Sequence, residues 1–160
     1  MLPHACPRPR GRARLNGLHT CVETSGYADD ATFADVMATV DLAMLDVKLI
    51  DPEAHRRWTG VDNASILRHA EMLRDGDTPY VLRVPVIPGV NDNDAHFAGV
   101  AALCKGAKRL LRVELLPYHK TAGAKYGMVG MRYAVDFDPE RAVHISPGIF
   151  ERAGVPCRVL

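Results

Sequence analysis

Ionisable and metal-ligating side chains recur in this 160-residue sequence at one kind of place, at or just after short apolar runs. Glu23-Thr24-Ser25 follows the run 18–22, and Asp46 and Lys48 follow Leu42-Ala43-Met44-Leu45. Arg83 interrupts the run 80–87, and His119 follows the run 111–116. Two acids, two cations and a histidine can hold a zwitterion, the acids taking an ammonium and the cations a carboxylate. Glu23, Thr24 and Asp46 also offer hard oxygens suited to a small cation. An amino acid or an amino-acid-derived cofactor fits this donor set.

Taken singly, each residue has an ordinary explanation. Asp46-Val47-Lys48 reads as a solvated strand end, and Thr24-Ser25 as turn residues. A lone histidine is commonly structural. Arg83 is harder to dismiss, because a charge between Leu82 and Val84 must be paired or face water in a pocket. Their joint occurrence at successive strand ends points to one shared site.

The elements that must position these residues follow from periodicity. Short apolar runs at 18–22, 42–45, 80–87 and 111–116 alternate with helical patterns over 30–40, after Asp51-Pro52, over 66–75 capped by Ser65, and near 94–104. Weak helical signal follows a Gly-rich loop at 120–130 and is broken by Pro147-Gly148, and a short terminal strand over 156–160 ends the chain. This alternation predicts an α/β fold: an incomplete (β/α) barrel of about four parallel strand–helix units. Such folds place function beyond the carboxyl ends of the strands. Side chains alternate along a strand, so Met44, Asp46 and Lys48 share a face.

Composition bounds the alternatives. Hydrophobic residues at 48% and charged residues at 24% describe a soluble globular domain rather than a disordered or fibrous chain. No apolar run is long enough to span a membrane. The cysteines, Cys6, Cys21, Cys104 and Cys157, form neither a disulfide framework nor a CxxC pair, which predicts a cytoplasmic setting. Residues 1–16 form a basic Pro/Arg-rich leader, predicted disordered, ahead of a domain over 17–160. With Arg8, Arg10, Arg12 and Arg14 set aside, 16 basic residues face 19 acidic ones, so the domain offers no nucleic-acid surface.

Five segments in order carry a resemblance: His19-Thr20-Cys21-Val22-Glu23-Thr24-Ser25-Gly26-Tyr27, Met44-Leu45-Asp46-Val47-Lys48, Trp58-Thr59-Gly60-Val61-Asp62-Asn63, Leu82-Arg83-Val84-Pro85-Val86-Ile87-Pro88-Gly89, and Leu115-Leu116-Pro117-Tyr118-His119. Over about residues 17–130 the sequence resembles the radical S-adenosylmethionine enzymes that activate glycyl radical enzymes, the pyruvate formate-lyase activating enzyme family. The resemblance implies a partial TIM barrel in which Thr24, Asp46, Lys48 and His119 hold S-adenosylmethionine. It implies that Arg83 lies near the cofactor and the glycyl-loop peptide of the partner. It implies a monovalent cation held by Glu23, Thr24, the Met44 carbonyl and Asp46, although the family usually has Asp where Glu23 stands.

The chain departs from that family in lacking the CxxxCxxC that holds a 4Fe-4S cluster. The Gly-Gly-Glu segment of the family's second strand is also absent. The expectation is therefore a C-terminal portion that is inactive and marginally stable alone. In the intact family the partners are a glycyl radical enzyme and an electron donor such as flavodoxin or ferredoxin. Two other readings stay open: a Schiff-base aldolase-type enzyme using Lys48, and a non-catalytic fragment that binds S-adenosylmethionine or a partner.

Overall fold

The computed structural model describes residues 16–119 and 135–160, with Met128 and Gly130 between them. Five strands, β1 (Cys21–Thr24), β2 (Leu42–Asp46), β3 (Tyr80–Val86), β4 (Leu110–Pro117) and β5 (Cys157–Val159), form one sheet in the order β1-β2-β3-β4-β5. All four neighbouring pairs are parallel. Helices α1 (Asp30–Met37), α2 (Pro52–Thr59), α3 (Ala64–Asp75), α4 (Asp94–Leu103) and α5 (Gly148–Arg152) occupy the connections. The barrel is not closed among the described residues; β1 and β5 are its two edges.

Alternation along the strands assigns the faces. Ala43, Leu45, Val47, Leu82, Val84, Val86, Val113 and Leu115 are buried and pack with Phe33, Met37, Ile66, Ala70, Leu73, Phe97, Val100 and Phe150 from the helices. The side chains between them on β2 and β3, Met44, Asp46, Arg83 and Pro85, are only partly buried and face the other way. One sheet face thus holds the apolar core, and the other carries the polar groups.

Short polar residues start three of the helices. Asp29 Oδ1 accepts from Thr32 N–H at 2.8 Å, Asp51 Oδ1 from Ala54 N–H at 2.7 Å, and Asn93 Oδ1 from His96 N–H at 2.9 Å. Each bond satisfies one of the first-turn donors that a helix leaves unpaired.

The structure corrects several boundaries. The first strand is Cys21–Thr24 rather than 18–22, because Asp41 binds the N–H and hydroxyl of Thr20 and the ladder to β2 begins only at Cys21. Glu23 and Thr24 therefore lie inside β1. The first helix ends at Met37, where Thr39 folds its hydroxyl back onto the Val36 carbonyl at 2.7 Å. Ser65 does not cap α3; the helix starts at Ala64 behind Asn63, whose side chain is used elsewhere. Pro147-Gly148 opens α5 rather than breaking a helix, since proline suits a helix start. The terminal strand expected over 156–160 is present as Cys157–Val159 and pairs with β4, following the four strand–helix units. The basic leader up to residue 15 and nearly all of the 120–130 loop lie outside the described residues.

Candidate functional site

Strand register sets the site. Glu23, Met44, Val81 and Arg112 lie in one row across the sheet, and Asp46, Arg83, Glu114 and Arg158 in the next. The second row alternates in charge from β2 to β5, as cross-strand neighbours favour. Arg83 is the hub. Its Nε donates to Asp46 Oδ1 at 3.0 Å, and its Nη1 and Nη2 donate to Glu23 Oε1 and Oε2 at 2.7 and 3.1 Å. Lys48 Nζ lies 3.7 Å from Asp46 Oδ2. Three consecutive strands thus deliver two carboxylates, a guanidinium and an ammonium to one place.

Exposure grades the group. Arg83 and Asp46 keep 18% and 20% of their side-chain surface in solvent, against 41% for Lys48 and 61% for Glu23. Burial works against the Arg83 charge, but the hydrogen bonds to Asp46 and Glu23 outweigh it and raise its pKa above the ordinary arginine value. Arg83 is consequently a fixed cation whose fork is filled by two carboxylates. Lys48 touches Asp46 only at ion-pair distance, so its N–H groups stay available to a ligand.

A cavity of about 360 Å³ opens beside Lys48, lined by Trp58, Thr59, Pro85, Ile87, Asn91 and Phe137 among others. Its size is within the range of small-molecule sites. It lies at the carboxyl ends of β2 and β3, with a mainly apolar wall, and of the ionic cluster Lys48 alone lines it.

Other expected site residues stand apart. Thr24 pairs in register with Leu45, on the core side of the sheet, and its hydroxyl accepts from Gly26 N–H at 3.0 Å. Met44 sits in register between Glu23 and Val81. His119 is exposed two residues past β4 and makes no hydrogen bond or ion pair among the described residues. It is two strands away from Lys48, roughly 10 Å at the usual strand spacing.

Sequence reasoning missed Arg112 and Glu114. Glu114 is buried, and its Oε1 accepts from Arg112 Nε at 2.7 Å and Nη2 at 2.6 Å. The signal was present in the polar residues at alternate positions of Arg112-Val113-Glu114, the same pattern that marked Asp46 and Lys48. Schiff-base lysines are desolvated or crowded by a second cation. Lys48 is partly exposed beside a carboxylate, so the aldolase reading gains no support from its surroundings.

The described cysteines do not fit an iron–sulfur cluster. Cys21 is exposed, Cys104 is buried, and no three His, Cys, Asp or Glu side chains gather as metal ligands among the described residues. Burial, reinforced by Cys157, pushes the Cys104 thiol up to about 12, and burial pushes Cys157 up to about 11. Cluster ligands must be thiolates, so these environments oppose that role.

Fold and site define an open parallel (β/α) partial barrel with an ionic cluster on the polar face of its sheet. No protein-family model matches the chain. It is 32% identical over 142 residues to the choline trimethylamine-lyase activating enzyme of Oleidesulfovibrio alaskensis, covering 87% of this chain and 46% of that protein. It is 38% identical over 116 residues to the isethionate sulfite-lyase activating enzyme of Nitratidesulfovibrio vulgaris, covering 71% and 37%. A crystal structure of a domain of pyruvate-formate lyase-activating enzyme from Bacteroides vulgatus has the same fold. Its TM-score is 0.72 at 23% identity, covering 94% of this chain and 86% of that one. The chain is a relative of the activating enzymes of glycyl radical enzymes. It spans about half or less of the length of the curated relatives it matches. No helix among the described residues is long and apolar enough to cross a membrane.

Proposed function

We propose that this chain supplies the cofactor-facing and partner-facing part of a cytoplasmic radical S-adenosylmethionine activating enzyme, which installs a glycyl radical in a partner enzyme. The observation that carries this reading is the meeting of Glu23, Asp46, Lys48 and Arg83 on one face of three consecutive parallel strands, with Lys48 at the edge of a cavity. S-adenosylmethionine, when bound in such enzymes, supplies a carbon radical that removes a hydrogen atom from glycine.

This chain's residues bind and orient. Lys48 donates to the cofactor's oxygens, Asp46 balances the positive charge beside it, and His119 closes the site from the end of β4. Arg83, held by its two carboxylates, faces the incoming glycyl-loop peptide. Glu23, Asp46, the Met44 carbonyl and Thr24 hold a monovalent cation. Thr24 is the poorest fit of the four, because its hydroxyl already serves Gly26 on the opposite face. The described cysteines are unsuited to a cluster, so no electron transfer is assigned to this chain. In the complete enzyme the electron comes from a flavodoxin or ferredoxin.

Titration calorimetry of the full chain with S-adenosylmethionine tests the reading. Losing a charge-assisted hydrogen bond costs roughly 1.5–3 kcal/mol. Lys48→Ala and Asp46→Asn should therefore each weaken binding by roughly ten- to a hundred-fold, while Lys105→Ala on the far surface leaves it unchanged. No binding by the unmodified chain at millimolar cofactor, or equal binding by Lys48→Ala, would overturn it.

A further inference from the structure

The segment after Asp46 raises a question of support. The β2–β3 register ends at Asp46 and Arg83, and the Val47 N–H makes one more bond, to the Arg83 carbonyl at 2.8 Å. Beyond it, Pro85 has no N–H with which to extend the ladder. Leu49, 6% exposed, is nevertheless buried, and Ile50 packs against the core. Buried backbone groups there need partners that no strand supplies.

Three side chains from other parts of the chain supply them. Asn91 Nδ2 donates to the Lys48 carbonyl at 2.6 Å and to the Pro85 carbonyl at 2.8 Å, while its Oδ1 accepts from Ile87 N–H at 2.7 Å. One carboxamide, 2% exposed, therefore joins the end of β2 to the end of β3 where the ladder stops. Asn63, also 2% exposed, donates through Nδ2 to the carbonyls of Leu49 and Ile50, both at 2.9 Å. This explains why Asn63 does not cap α3. His96 Nδ1 accepts from Ile50 N–H at 3.4 Å, and its buried Nε2 has no partner among the described residues.

We propose that Asn91 is a positioning residue that fixes the backbone of Lys48, and through it the ammonium at the mouth of the cavity, with Asn63 and His96 holding the next two residues. The consequence for ligand affinity rests on the cofactor reading of Lys48 given above; the consequence for the backbone does not. The geometry is specific to a carboxamide: two donors reach carbonyls in β3 and in the segment after β2, and one acceptor reaches an N–H. Asn91→Asp keeps the acceptor for Ile87 and removes both donors, so it severs the bonds to the Lys48 and Pro85 carbonyls together.

The test compares the full chain with Asn91→Asp, Asn91→Ala, Lys48→Ala and the Asn91→Ala/Lys48→Ala double variant. Hydrogen exchange at residues 47–50 is followed against residues 81–84 in the centre of β3. Both Asn91 variants should speed exchange at 47–50 by about tenfold or more with β3 unchanged, the mark of a local opening. They should also weaken S-adenosylmethionine binding by roughly five- to twenty-fold. Because Asn91 acts through Lys48, the double variant should bind within about twofold of Lys48→Ala alone. Unchanged exchange at 47–50, or losses of affinity that multiply in the double variant, would overturn the proposal. If the unmodified chain binds no cofactor, the reading of function fails and the exchange comparison alone decides the role of Asn91. Should Asn91→Ala not fold, Asn91→Ser takes its place in the same comparison.

Discussion

Lowering the pH from 7 to 4.5 tests whether His96 is held neutral in the folded chain. The residue is 6% exposed in the first turn of α4, it accepts a backbone N–H from Ile50, and burial depresses its pKa from 6.5 to about 4. In the unfolded chain the same imidazole titrates near 6.5. Between these values the unfolded state binds the extra proton, so stability falls as pH falls through the window from 6.5 to 4. At 1.36 kcal/mol per pKa unit the full loss is on the order of 3 kcal/mol, with most of it gone by pH 4.5. In a domain of this size that lowers the melting temperature by roughly 5–10 °C. Urea denaturation at both pH values, for the unmodified chain and for His96→Gln, provides the assay. Gln keeps a polar group at the site but does not titrate, so its variant should lose far less stability between pH 7 and 4.5. An equal loss in the two proteins would refute the reasoning.

Arg83→Met should destabilise the chain by roughly 2–3 kcal/mol, because it strips Asp46 of its half-buried guanidinium. Glu23→Gln should cost less than about 1 kcal/mol, because Glu23 is mostly exposed; equal costs in chemical denaturation would contradict the hub assigned to Arg83. Thiol labelling should mark Cys21 promptly and Cys104 only on unfolding. With its pKa moved from 9.0 to about 12, the Cys104 thiolate is roughly a thousand-fold scarcer, and prompt modification of Cys104 in peptide mapping would contradict its burial.

Much of the site was legible because the signals were local. Asp46 and Lys48 stand two apart, and a period of two puts them on one face wherever the strand lies. Arg83 declared itself by being charged in an apolar strand. What stayed hidden depended on which strand lies against which. Glu114 carried the alternating signal, but its place in one row with Asp46 and Arg83 appears only from the register, and nothing near Asn63 or Asn91 in the chain shows that their amides reach Lys48, Leu49 and Ile50. Thr24 misled because it was placed in a turn, whereas it is the last residue of β1 and its side chain follows Leu45. Pro147-Gly148 was read as a stop because both residues disfavour helix interiors, although proline is at ease at the start of a helix. Local propensity cannot tell these uses apart.

The line Asp46, Arg83, Glu114, Arg158 also bears on how the chain finds its alignment. A slide of β3 by a single residue would aim Arg83 into oil and bring Leu82 or Val84 opposite the acids, forfeiting salt links and greasy packing at once. Exchanging the places of β3 and β4 would set Asp46 beside Glu114 and leave Arg83 next to Arg158. The wet side of this sheet thus proofreads neighbour choice, a task that its interchangeable valines and leucines cannot perform.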